Sequence, residues 1–148
     1  MKIGIANDHS GVEFKNLIKK HLEEQGHTVY NYGTDSEEAY DYPLAAKELC
    51  KHILNNDCEL GIAICGTGAG ISIACNKHKG IRTACCSEEK TAHLLREHNN
   101  ANIISIGDRI ITIEKAYQIV DEFINTPFSN EERHIRRINL IKEIENNN

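Results

Sequence analysis

Five short apolar runs, each followed by an amphipathic stretch, constrain this chain more than any other feature. KIGIA (2–6), HTVYNY (27–32), ELGIAIC (59–65), GIRTACC (80–86) and ANIISIG (101–107) have the length and composition of strands. Between them the spacing turns helical: Phe14, Leu17, Ile18, His21 and Leu22 before Gly26, then Leu44, Leu49 and Ile53 behind Pro43. Further helices are expected from the glycine-rich loop to about Asn76, from a Ser87 cap to His98, and over about 113–125. Ser129 and Glu132 form an S-x-x-E capping box, so a last helix should begin near Asn130. Its Ile135, Ile138, Ile141 and Ile144 make an apolar stripe in need of a partner. Strands alternating with helices imply β-α units, hence an α/β fold with a parallel sheet and helices on both faces. The expectation is a Rossmann-like three-layer sandwich with five strands in the order 2-1-3-4-5 and a C-terminal helix. At 148 residues the chain should form one domain, 1–148.

Sheets of this kind bind ligands beyond the carboxyl ends of their strands, where the strand order reverses. That places Asp8 and His9, Cys65 to Gly70, and Asp108 with Arg109 at one rim. Within it, ICGTGAGIS (64–72) puts Gly66, Gly68 and Gly70 directly after Cys65. Three standard uses of such a loop fail on particular residues. A dinucleotide fingerprint needs a third glycine where Ile71 stands, and belongs after the first strand. A nucleotide P-loop counted from Gly61 and Gly66 needs lysine where Thr67 stands. A cysteine-dependent phosphatase cradle needs an arginine at Ile71. What remains is an anion hole of bare backbone amides at a helix start, whose positive end favours the thiolate form of Cys65. A base beside an oxyanion hole suits proton removal next to a carbonyl, with an enediolate as intermediate. A tight turn that needs glycine only for packing explains the loop equally well.

Two other segments carry candidate groups. REHNNAN (96–102) ends a helix with His98 and Asn99. ERHIRR (132–137) sets Arg133, His134 and Arg137 on one side of the last helix, with Arg136 turned away. Arg133 and Arg137, one turn apart, could close on one phosphate, or form a solvated basic face paired with Glu131 and Glu132. His21, His27, His52, His78 and His93 read as structural, and no H-E-x-x-H spacing exists, so no metal is expected. Cys50, Cys58, Cys75, Cys85 and Cys86 read as small core residues, with no C-x-x-C pair. The net charge of -5 argues against nucleic acid or an anionic membrane as partner. MKIGIANDHSG reaches Asp8 too soon to read as a signal peptide, and no run is long enough to span a bilayer, so a cytoplasmic setting is expected.

NDHSG (7–11), DYP (41–43), ICGTGAGISIACNK (64–77), REHNNAN, IGDR (106–109) and RHIRR (133–137) together resemble ribose-5-phosphate isomerase type B. Allose-6-phosphate and galactose-6-phosphate isomerases are relatives of that family. The resemblance implies interconversion of ribose 5-phosphate and ribulose 5-phosphate without a cofactor, in a homodimer or homotetramer with the site at the dimer interface. It implies Cys65 as the base, with Thr67 assisting the thiol and His98 opening the furanose ring. Asp8 would hold sugar hydroxyls, and amides from Gly66 through Gly68 and Ala69 to Gly70 would hold the enediolate oxygen. His9, Arg133 and Arg137 would bind the phosphate, with Tyr42, Asn99, Arg109 and His134 completing the pocket. Departures from the family pattern include Asn7, Ala69, Cys75 and the EE before Arg133, none of them a proposed catalytic group. A six-carbon sugar phosphate, or a sensor that binds without turnover, stays open as an alternative.

Overall fold

Each apolar run becomes a parallel strand because a helix carries the chain back before the next run begins. The computed structural model describes residues 1–148. In order it contains β1 (Lys2–Asn7), a single 3-10 turn (His9–Gly11), α1 (Val12–Glu24), β2 (Thr28–Asn31), α2 (Tyr42–Leu54) and β3 (Leu60–Cys65). There follow α3 (Ala69–Asn76), β4 (Thr83–Cys85), α4 (Glu89–Glu97), β5 (Ile103–Gly107), α5 (Ile113–Asn125) and α6 (Glu132–Asn146). Gly26, with φ +93°, ends the first helical segment as its position in the sequence suggests.

The α/β sandwich with a five-stranded, all-parallel sheet is as expected, but the strand order is β2-β1-β3-β5-β4 rather than 2-1-3-4-5. The reason lies in the last two strands. All residues of β5 are buried, as an interior strand with a helix on each face requires. β4 has only three residues and grows more exposed along its length, which suits an edge. Its outer side is closed by a side chain. Asn76 Oδ1 accepts from the Thr83 N–H (2.8 Å), and Asn76 Nδ2 donates to the Thr83 carbonyl (2.7 Å).

Side-chain alternation sorts the core into two layers. Ile62, Ile64, Ile104 and Ile106 face Ile18, Leu22, Val120 and Phe123 of α1 and α5. Ala63, Cys65 and Ile103 face Leu49, Ile53, Ile71 and Cys75 of α2 and α3. Each fully buried large side chain contributes roughly 1.5–3 kcal/mol. Cys50, Cys58, Cys75 and Cys86 belong to this core, as read from the sequence. Cys85 does not: it is exposed, because the edge strand ends there.

Two expected caps are also displaced. Glu88, not Ser87, precedes α4, and no side chain caps that helix. Asn130 takes a positive φ of 57°, so α6 begins after it, at Glu132. The Ser129 hydroxyl is engaged by His134 Nδ1 (2.6 Å) and the Glu131 amide (3.1 Å) instead of forming the capping box. Along α6 only His134 and Ile138 are buried, while Ile135, Ile141 and Ile144 stay exposed. The apolar stripe thus remains largely uncovered in a single chain.

α4 and α5 are tied together by His93, whose Nδ1 lies 2.8 Å from Glu122 and whose Nε2 lies 2.6 Å from Glu97. These bonds, the Glu122 one first, raise the His93 pKa above its ordinary 6.5. A raised histidine pKa stabilises the fold fully below the unfolded value, and this contribution disappears as pH rises through the folded value. Urea midpoints should therefore fall as pH rises above about 6.5, and His93→Gln should remove most of that fall. An undiminished fall in His93→Gln would assign the pH dependence to another group.

Candidate active site

The loop after β3 has its shape because two glycines let backbone pass where a side chain could not. Gly68, the residue before α3, adopts φ +81°, and a Cβ there would also lie 2.7 Å from Cys85 Sγ. A Cβ on Gly107 would lie 2.4 Å from the Thr67 carbonyl carbon, so the end of β5 presses directly on the loop. The turn points the Gly68 N–H at Cys65 Sγ (3.2 Å). Cys65 is buried, and the first turn of α3 behind it leaves amides without intrahelical partners. Backbone donors therefore stand next to a thiol, the arrangement needed to hold an oxyanion beside a base. The Thr67 hydroxyl accepts from the Ala69 amide (3.2 Å) and so is turned toward the helix start, with no bond to the Cys65 thiol.

Strands on either side supply the rest of this rim. Asp8 follows β1, with its amide on the Ile64 carbonyl (3.1 Å), and its Oδ1 accepts from the Ser10 amide and hydroxyl (3.0 and 2.7 Å). His9 Nδ1 accepts from the Tyr40 N–H (3.0 Å), which leaves the proton on Nε2, available to a ligand. Asp108 and Arg109 follow β5, with amides on the Cys65 and Gly66 carbonyls (3.2 and 3.0 Å). The Arg109 side chain passes beside Gly66, and the Tyr42 ring lies against Gly70. Burial raises the Asp108 pKa; the Ser10 hydroxyl opposes that rise and the Asp8 charge adds to it. Asp8, His9, Cys65, Gly66, Thr67, Gly68, Ala69, Gly70, Asp108 and Arg109 are therefore gathered at one rim, as the strand-end rule predicts, and Tyr42 joins them from the start of α2.

The other candidates lie at the opposite end of the sheet. His98 and Asn99 follow α4, where the chain is about to enter β5. Asn102 accepts from the Gly61 amide (2.8 Å), and Asn100 and Asn102 line one hollow with Met1, Glu59 and Leu60 at the strand starts. Arg82 fixes this turn by donating to the Asn99 and Asn100 carbonyls (3.0 and 2.7 Å). The His98 ring packs on His134, with centroids 4.3 Å apart. His134 donates from Nδ1 to Ser129 and accepts at Nε2 from Arg133 Nε (3.3 Å), so both its nitrogens are engaged within the chain. Burial, then His98 and Arg133, lowers its pKa. Arg133 pairs with Glu131 (3.0 Å), and Arg137 stands exposed one turn later. Arg136 lines the outer side of α6 with Ile135 and Leu140, so the helical phasing read from the sequence holds.

The register that pairs Gly61 with Ile103 and Cys65 with Gly107 separates the two groups by four strand residues, about 13 Å. A general acid or base must come within about 3 Å of its proton. Within one chain, Cys65 and His98 do not reach the same small molecule. Sequence reasoning also does not single out Ser10, Tyr40 or Gly107. Only Gly107, at the end of an apolar run, carried a visible signal.

A family model described as Ribose/Galactose Isomerase matches residues 3–141. The chain belongs to that family. Ribose-5-phosphate isomerase B of Escherichia coli is 41% identical over 144 residues, 97% of this chain and 96% of the relative. Among solved structures of the ribose/galactose isomerase family, ribose-5-phosphate isomerase B of Clostridium thermocellum superposes with a TM-score of 0.97 at 41% identity, covering 99% of each chain. The enzyme of Mycoplasma genitalium, solved with bound ribulose 5-phosphate, gives 0.93 at 38% identity, over 99% of this chain and 97% of that one. No group of three or more His, Cys, Asp or Glu side chains is placed to hold a metal ion, and no helix is long and apolar enough to cross a membrane.

Proposed function

We propose that residues 1–148 act as one sugar-phosphate isomerase domain that interconverts D-ribose 5-phosphate and D-ribulose 5-phosphate. The observation that carries this reading is the buried Cys65 thiol facing the Gly68 amide, at the same rim as Asp8, His9 and Arg109. The relatives named ribose-5-phosphate isomerase B support the choice of a five-carbon substrate. Cys65 moves the proton between the two sugar carbons, and loop amides hold the enediolate oxygen. Asp8 holds sugar hydroxyls, Tyr42 and Arg109 line the pocket, and His9 binds the phosphate. His98 opens the furanose ring, Asn99 completes the pocket, and Arg133 and Arg137 join His9 on the phosphate.

Because His98 lies at the far end of its own sheet, these groups come from a second copy of the chain. The site is thus built between two protomers of a homodimer. His134 serves it by holding His98 in place, since both of its nitrogens are already occupied. The six free cysteines fit the reducing cytoplasm as its setting. Adding ribose 5-phosphate and following ribulose 5-phosphate by absorbance tests the activity. Binding without turnover would make the chain a sensor instead, and a higher kcat/KM on allose 6-phosphate would move the reading to six-carbon sugars.

The phosphate assignment yields a paired expectation. Arg137→Ala should raise KM and lower kcat, because anchoring the phosphate places the carbon that Cys65 must reach. Loss of a charge-assisted fork costs about 1.5–3 kcal/mol, or roughly ten- to a hundredfold in kcat/KM. Arg137→Lys should recover only part of this, since an ammonium lacks the planar fork. Arg136→Ala, on the outer side of α6, should be nearly silent. Equal damage from both alanine variants would show that α6 meets the phosphate in another way.

A further inference from the structure

Asp8 is not held by its backbone alone. Its Oδ1 receives the Ser10 hydroxyl at 2.7 Å, and the same hydroxyl lies 3.0 Å from Oδ1 of Asp108, a residue ninety-eight positions further along the chain. A serine hydroxyl has one proton and so can donate to only one of two carboxylates. If both were ionised, two acceptors would face each other across Ser10 with a single donor between them. The conflict disappears when Asp108 carries a proton: Asp108 donates to Ser10, and Ser10 donates to Asp8. Asp8 Oδ1 then has two donors, the Ser10 amide and hydroxyl, which leaves Oδ2 as the oxygen that can meet a ligand.

We propose that Asp108 is a positioning residue that acts through Ser10 to orient the Asp8 carboxylate for the sugar hydroxyls. Its carboxyl makes no hydrogen bond to Cys65, which meets only the Asp108 backbone amide. Its charged neighbours are Asp8, across Ser10, and Arg109, next in sequence. Burial and the Asp8 charge favour the neutral carboxyl, while a hydrogen bond donated by Ser10 and the Arg109 charge oppose it, with burial the largest effect. The proposal rests on the isomerase reading only for what Asp8 contacts; the three-residue relay is a property of the fold.

Two measurements test it. Carbon-13 NMR of the Asp108 carboxyl reads the relay without turnover. Its pKa should stand above the ordinary carboxylate range in the unaltered protein and fall in Ser10→Ala, because the neutral acid loses its acceptor. Were Ser10 donating to Asp108 instead, the same substitution would raise that pKa, and a rise or no change overturns the relay. In kinetics, Asp108→Ala and Ser10→Ala should each lower kcat about tenfold, with no further loss when combined. Asp108→Asn, whose amide still donates to Ser10, should stay within about twofold of normal. Additive losses, or an Asp108→Asn variant as slow as Asp108→Ala, reject the proposal. Absence of turnover in the unaltered protein would instead reject the isomerase reading, while the titration still decides the relay.

Discussion

Replacing Cys65 with alanine should abolish isomerisation while leaving substrate binding close to normal. A base acts on the barrier, whereas arginines and loop amides hold the ground state, so the loss belongs in kcat. General acid–base catalysis contributes about a hundred- to ten-thousandfold, and the variant should fall by at least that. Binding can be read separately by calorimetric titration with ribose 5-phosphate. The Gly68 amide that meets the sulfur is fixed by backbone, so the loop should keep its shape in the variant. Near-normal turnover would transfer the role of base to Asp8.

Mixing two inactive proteins should restore activity. His98→Asn alone should fail on cyclic substrate, as Cys65→Ala fails on any. In a hybrid dimer of the two, sites built across the interface give one site with both substitutions and one with neither, whereas sites built within one chain would each carry one substitution. With Cys65 and His98 drawn from opposite protomers, one site per hybrid has both groups intact. Random reassociation makes half of the dimers hybrids, so about a quarter of full activity should return. No recovery after verified subunit exchange would mean that both groups of a site belong to one chain, against their separation along β3 and β5.

The residues that were legible in the sequence are those governed by local rules. Alternation marked the strands, Gly26 and Pro43 bounded helices, and the strand-end rule brought Asp8, Cys65 and Arg109 together before any coordinates. The order of β4 and β5 was written less plainly. ANIISIG is apolar enough to be interior, but GIRTACC reads as a strand of equal length, its shortening to Thr83–Cys85 is seen only in the fold, and chain order suggests the reverse order. Ser129 shows a different limit: the capping-box pattern is present, yet a histidine five residues on takes the hydroxyl. No local pattern reports that competition. Least visible was the separation of His98 from Cys65, because motif order along a chain says nothing about which end of a sheet a helix terminus occupies.

Asn76 has a consequence for how the molecule behaves in a crowded solution. The last strand of an open sheet normally presents bare N–H and C=O groups that can recruit the extended segment of another chain and start an aggregate. At Thr83 both outward groups are already occupied by one side-chain amide, which imitates a neighbouring strand one residue long. The opposite edge, β2, is only four residues long and offers little more. The β4 side of the sheet is therefore closed to growth, and two protomers can meet through helices and rims without competition from strand addition there.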